Sequence, residues 1–152
     1  MLKDVKVLVA GSGFIGTNLS KRLVAMGCQV SATWHKNRPS WPVEGVKYQQ
    51  CDLTRLDHCE AVVQGKEFVF MCAAKTSGAA LLADDPISML APNALMNTAL
   101  LDAAYRNGVK KYLFVSSSTV YPVADHPLLE DDVNYHFFSK YRVDGLVKNF
   151  SE

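Results

Sequence analysis

Hydrophobic and polar positions come in blocks along this chain, and the period of each block predicts an element. Val5–Ala10 is a short β-branched run ending at a glycine, as a strand does when it delivers the chain into a turn. From Phe14 the period becomes helical. Ile15, Leu19, Leu23 and Met26 fall on one expected buried stripe, and Gly27 supplies the stop. Gln29–Thr33 predicts a second strand, followed by a basic, proline-containing turn from Trp34 to Pro42, and Val46–Gln50 predicts a third strand. Thr54 is the expected N-cap of a helix that runs through Val63 and stops at Gly65. Phe68–Cys72 is apolar throughout, the pattern of a strand covered on both faces. A loop rich in Ala, Gly and Ser leads to a long helix from about Pro86 to Asn107, with Asn107-Gly108 as its stop. Tyr112–Val115 predicts a fifth strand that runs into Ser116–Thr119. Beyond Pro122 and Pro127, the apolar positions Val143, Leu146, Val147 and Phe150 mark a last amphipathic helix.

Strands separated by helix-length connections require right-handed crossovers and a parallel sheet with helices on both faces. The expected fold class is therefore α/β, a doubly wound parallel sheet of order 3-2-1-4-5 that ends before any later strands, and the fifth strand lies at an edge. Ligands of such sheets sit beyond the carboxyl ends of the strands. Here those ends are Gly11–Gly16, Thr33–Arg38, Ala73–Gly78 and Ser116–Thr119, which are also the four polar or glycine-rich stretches. No repeat or linker interrupts the pattern, so a single dinucleotide-binding Rossmann domain over residues 1–152 is expected.

Composition removes several alternatives. With 152 residues, 49% of them hydrophobic and 20% charged, the chain is neither a disordered tail nor a low-complexity array. A formal net charge of +1 gives no general electrostatic reason to bind nucleic acid. No stretch contains the roughly 18 consecutive apolar residues of a membrane span. Cys28, Cys51, Cys59 and Cys72 lie too far apart for a CxxC motif and read as reduced thiols, two of them in or beside strands. The opening Met1-Leu2-Lys3-Asp4 shows no basic-then-apolar leader. A cytoplasmic protein, with no membrane and no nucleic-acid partner, is expected.

Gly11-Ser12-Gly13-Phe14-Ile15-Gly16 is a GxGxxG between a strand and a helix. In that setting the first glycine permits the tight turn, the second lets backbone approach a pyrophosphate, and the third lets helix and sheet pack closely. The helix N-terminus adds free N–H groups and a partial positive charge. Where an acidic residue at the end of the second strand would favour NAD, this chain has Thr33-Trp34-His35-Lys36-Asn37-Arg38 and no carboxylate. His35, Lys36 and Arg38 suit a 2′-phosphate, so NADP is preferred as the expected cofactor, with NAD the alternative.

Gly11–Gly16, Cys51-Asp52-Leu53, Ala73-Ala74-Lys75, Asn93, Ser116–Pro122 and Ser139-Lys140, in this order, resemble the extended short-chain dehydrogenases/reductases, the NAD(P)-dependent nucleotide-sugar epimerases and dehydratases. Ala73–Gly78 together with Ser117–Pro122 is most similar to the GDP-L-fucose synthase branch. The resemblance implies a role for each matched residue. Asp52 would accept a hydrogen bond from the adenine amino group and Leu53 would pack by the ring. Ala73, Ala74 and Lys75 would line the path from pyrophosphate to nicotinamide ribose, and Asn93 would hold the helix backbone beside the active site. Ser117 would hydrogen-bond the sugar keto oxygen, and Thr119 would lie near the epimerised carbon. Lys140 would bind the nicotinamide ribose and lower the pKa of the catalytic acid. The resemblance further implies a nucleotide-sugar substrate and a homodimer formed through the helices at about Pro86–Asn107 and His136–Phe150.

Two features depart from the family pattern. The signature YxxxK requires a tyrosine four residues before Lys140, where this chain has His136. Tyr135 precedes Lys140 by five, about 140° away around an ideal helix. Tyr135, His136 and the absence of any acid stand as equal alternatives. The family also continues well beyond the last helix present here, with the region that closes over the nucleotide-sugar. The expected explanation is a fragment carrying the cofactor half of an extended epimerase or reductase, and the alternative is a non-catalytic dinucleotide-binding module or interaction protein of the same fold.

Overall fold

The computed structural model describes residues 2–76, 85, 87–116, 121 and 124–132. Within them, β1 (Lys6–Ala10), β2 (Gln29–Trp34), β3 (Lys47–Gln50), β4 (Phe68–Met71) and β5 (Lys111–Phe114) form one parallel sheet in the order β3-β2-β1-β4-β5. The helices are α1 (Phe14–Ala25), α2 (Leu56–Val63) and α3 (Ile87–Arg106), and a short 3-10 turn covers Glu130–Asp132. The chain divides into two compact units. Met1–Ala74 with Leu95–Val115 carries the whole sheet, and Lys75–Ala94 with Ser116–Glu152 makes up the other.

In the sheet unit the alternation of side chains separates two cores. Val7 and Val9 of β1, with Val30 and Ala32 of β2, pack beneath Leu23 of α1 on one face, joined by the partly buried Phe68 and Phe70 of β4. Leu8 and Ala10 of β1, with Val69 and Met71 of β4, face Cys59, Val62 and Val63 of α2 and Leu100, Ala103 and Ala104 of α3 on the other. Every side chain of β1 from Val7 to Ala10 is fully buried, as its central position demands. Each wholly buried aliphatic of this kind stabilises the fold by roughly 1.5–3 kcal/mol. Register is fixed by the same pairs: Leu8 stands opposite Ser31 on one side and Val69 on the other.

The expected sheet, with its order and its helical crossovers, is the one observed. Strand bounds differ by a residue at several ends. Val5, Val46, Cys72 and Val115 fall just outside strands, while Trp34 and Lys111 lie within them. Three of the four cysteines, Cys28, Cys51 and Cys72, directly flank a strand, and all four are free.

Two expectations about the helices need correction. The buried face of α1 is Gly16, Ser20 and Leu23, whereas Ile15 and Met26 are 50% and 43% exposed. Small residues turn toward the sheet because α1 lies close against β1. The helical period was right, but bulk alone does not choose the buried side. Thr54 does not cap α2. The N-cap is Arg55, and Thr54 instead donates both its hydroxyl and its backbone N–H to Asp52 Oδ1, at 2.7 and 3.0 Å. A preceding aspartate has captured the capping residue in a tight turn. The expected helix at residues 136–150 lies outside the described residues.

Candidate functional site

The glycine loop leaves the end of β1 and enters α1 with the features the motif requires. Gly11 has φ +102°, and a Cβ there would also lie 2.7 Å from the backbone of Ala73, beyond the end of β4. A Cβ on Gly16 would lie 1.8 Å from the carbonyl oxygen of Gly11. At Gly13 nothing among the described residues lies within 4 Å. Thus two glycines of the motif are needed for internal packing, and the middle one opens onto free space. Gly13 is also the N-cap of α1, has no side-chain capping bond, and is followed by a first turn without an acidic residue. Backbone amides and a positive helix end therefore meet no carboxylate from the helix's own first turn.

Hydrogen bonds hold this loop from both sides. The backbone N–H of Gly11 donates to Thr33 Oγ1 at 2.9 Å, and the hydroxyl of Ser12 donates to the carbonyl oxygen of Thr33. From the helix side, Thr17 donates its hydroxyl to the Ser12 carbonyl at 3.1 Å and its N–H to the Gly13 carbonyl at 2.9 Å. Phe14 and Ile15 project outward, 87% and 50% exposed.

The ends of β2 and β3 form the next wall. Asp52 sits just beyond β3, bonded by Thr54. Its backbone N–H donates to His58 Nδ1 at 3.2 Å, and its Oδ2 lies 3.9 Å from His35 Nε2. The hydroxyl and then the N–H of Thr54 hold the Asp52 carboxyl below its usual pKa, with His35 and His58 adding smaller effects against the opposing cost of burial. Asp52 is thus kept as an acceptor. Leu53 is 5% exposed and belongs to the core beside α2. His35, Lys36 and Arg38 are all exposed, and the Arg38 guanidinium lies over the Trp34 ring, 5.4 Å from its centroid. Trp34, Arg38, Pro39, Pro42, Tyr48 and Gln50 line an open cavity of about 470 Å³. Tyr48 accepts the Val43 N–H at 2.9 Å and so braces the loop over that cavity.

In the second unit, the buried side chain of Asn93 bridges both backbone groups of Lys75. Its Oδ1 accepts the Lys75 N–H at 2.8 Å and its Nδ2 donates to the Lys75 carbonyl at 3.0 Å. The Lys75 ammonium reaches the Ser88 carbonyl at 2.8 Å. In the sheet unit, Ala73 lies against Gly11, and Ala74 follows it exposed.

The structure therefore brings together Gly11, Gly13, Gly16 and Ala73 at the end of β1 and β4, and His35 with Asp52 at the end of β2 and β3. Ser117, Thr119, Tyr135, His136 and Lys140, the expected catalytic set, lie outside the described residues. Sequence reasoning missed Ser12, Thr17 and Thr33 as the residues that hold the loop, and Trp34, Tyr48 and Gln50 as cavity walls. Only the lack of a carboxylate at Thr33 could have drawn attention to that position.

Comparison with known proteins adds an independent line. Residues 7–150 match the model of the NAD dependent epimerase/dehydratase family. GDP-mannose 3,5-epimerase 1 of Oryza sativa subsp. japonica is 29% identical over 125 residues, 79% of this chain and 32% of that protein. GDP-L-fucose synthase of Sinorhizobium fredii is 29% identical over 137 residues, 86% of this chain and 39% of that protein. Among solved structures, the UDP-glucose-4-epimerase of Stenotrophomonas maltophila with bound NAD and formylated UDP-arabinopyranose superposes with a TM-score of 0.74. It is 27% identical, over 83% of this chain and 41% of that one. The chain thus spans about a third to two fifths of the length of the relatives it matches.

Proposed function

Since the chain belongs to the NAD dependent epimerase/dehydratase family, we propose that it forms the cofactor-binding half of a nucleotide-sugar epimerase, dehydratase or reductase of the GDP-sugar branch, with NADP preferred to NAD. The observation that carries this reading is the glycine loop: crowded at Gly11 and Gly16, open at Gly13, and seated on an uncapped helix end. Such a cradle fits a pyrophosphate, and a Cβ at Gly13 would narrow the space the phosphates would need. The bound dinucleotide would supply hydride exchange with a sugar carbon.

The chain's own residues then bind and orient. Amides of the loop and first turn hold the pyrophosphate, with Phe14 and Ile15 flanking it. Asp52 accepts the adenine amino group with its carboxylate, and Leu53 underlies that position. Lys36 and Arg38, with His35 beside Asp52, neutralise a 2′-phosphate, and the stacking on Trp34 holds the Arg38 fork before the ligand arrives. Ala73, Ala74 and Lys75 border the nicotinamide side, the last with its backbone clamped by Asn93. Ser117 anchors the sugar oxygen as charge develops on it, Thr119 stands by the epimerised carbon, and Tyr135 or His136 exchanges the proton with Lys140 assisting.

The assembly proposed is one dinucleotide-binding domain in a cytoplasmic homodimer. Four free cysteines support the compartment. Exposed Leu95, Leu101 and Tyr105 on α3 support the dimer face. Among the described residues no helix is long and apolar enough to cross a membrane.

Calorimetric titration of the chain with NADPH and with NADH tests the reading. Saturable binding of both, tighter for NADPH and weakened by Arg38→Ala for NADPH alone, is the expected result. Failure of a folded sample to bind either would overturn it. His136 in place of the signature tyrosine favours a second reading, a dinucleotide-binding module without catalysis. Turnover of GDP-4-keto-6-deoxymannose by the chain would exclude that module.

A further inference from the structure

Thr33 ends the buried part of β2, one residue before the end of the strand, with only 1% of its surface exposed. Its hydroxyl and its carbonyl both turn toward the glycine loop. Its hydroxyl oxygen accepts the Gly11 N–H at 2.9 Å, and its carbonyl accepts the Ser12 hydroxyl. These are consecutive residues of the turn, so β2 grips the loop at two adjacent points. Thr17 grips the same turn from the helix side, through the carbonyls of Ser12 and Gly13. The turn is one that needs holding. Gly11 occupies the left-handed region, glycine has the largest backbone freedom to lose, and Gly13 has nothing packed against it among the described residues.

We propose that Thr33 is a positioning residue for dinucleotide binding: it fixes the glycine loop through Gly11 and Ser12, and its hydroxyl is consumed inside the protein rather than offered to the ligand. This rests on the dinucleotide reading above and adds a consequence for selectivity. If Thr33 touched the adenosine ribose, its loss would fall unequally on the two cofactors, which differ only there. If it acts through the loop, its loss weakens the pyrophosphate cradle that both cofactors share. The choice between NADP and NAD is then left to His35, Lys36 and Arg38 alone.

The test measures the affinities of the chain for NADPH and NADH in the wild type, Thr33→Val and Thr33→Ser. Valine keeps the volume and removes the acceptor. Thr33→Val is expected to weaken both cofactors by the same factor, about tenfold, as befits one buried hydrogen bond with its partner left unsatisfied. Thr33→Ser restores both. Unchanged affinities in Thr33→Val, or a loss confined to one cofactor, would overturn the proposal. Amide exchange in the wild type provides a readout that needs no variant. The Gly11 N–H should be protected without ligand, and a freely exchanging Gly11 amide would overturn the proposal even if Thr33→Val does not fold. A wild type that binds neither cofactor while its Gly11 amide is protected would instead overturn the dinucleotide reading.

Discussion

The three glycines of one motif carry different duties, and single substitutions should separate them. Alanine at Gly16 places a Cβ 1.8 Å from a backbone oxygen, which cannot be relieved by a side-chain rotation. Gly16→Ala is expected to cost about 1–3 kcal/mol of stability through forced backbone movement, read from urea unfolding. Gly13→Ala meets no atom of the described residues. It should leave the unfolding midpoint where it is and lower dinucleotide affinity at least tenfold by calorimetry, so equal loss of stability in both variants would refute the division. Asp52 adds a pH dependence at the same scale. Folding lowers its pKa, chiefly through the Thr54 hydroxyl, so its carboxylate contributes stability that is fully present above the ordinary carboxylate value near 4. That contribution is lost as pH falls through the lower, folded value. The stability advantage of wild type over Asp52→Asn should accordingly be largest near neutral pH and shrink as pH falls below the ordinary carboxylate value.

At the scale of elements, α2 seals one core against the sheet, and its cysteine reports whether the seal holds. Burial, with smaller help from nearby Asp52 and Asp57, pushes the Cys51 thiol up to about 11. Burial, then Cys51 and those carboxylates, pushes Cys59 up to about 12. At pH 8 neither thiol ionises in the folded chain, so neither should react with a disulfide reagent until urea opens α2, after which all four cysteines react. Mass spectrometry of the labelled peptides would check this, and rapid native labelling of Cys59 would contradict the packing described. The elements themselves were largely legible in the sequence. β-branched runs and glycine stops located all five strands to within a residue, because burial on both faces leaves a continuous apolar signature at Val7–Ala10 and Phe68–Met71. What could not be read was orientation and bonding across the sheet. That Gly16 and Ser20, not Ile15 and Met26, face β1 depends on how closely α1 approaches. That Thr33 bonds Gly11 depends on the register of β1 with β2. The glycine cradle was therefore visible in advance, whereas the residues that brace it were not.

For the whole molecule, α3 presents Leu95, Leu101 and Tyr105 at 56%, 51% and 85% exposure while Leu100, Ala103 and Ala104 are buried in the core. If the exposed face joins two copies, replacing Leu101 and Tyr105 by glutamate should convert a dimer to a monomer in sedimentation experiments without lowering the unfolding midpoint. A wild type that sediments as a monomer would remove the dimer from the proposal. The central position of β1 also bears on how the chain is made. It is made before both of its neighbours, and β2 follows it closely, but Lys6 must wait for Glu67, 61 positions later, before the other side of the strand is closed. At 5–20 residues per second that delay is roughly 3–12 seconds. Throughout it, a strand that is apolar from Val7 to Ala10 waits with one edge open, so the central strand is complete well before its second neighbour exists. The nascent chain thus depends on prompt shielding of β1, and a pause in translation before β4 would cost soluble yield more than the same pause after it.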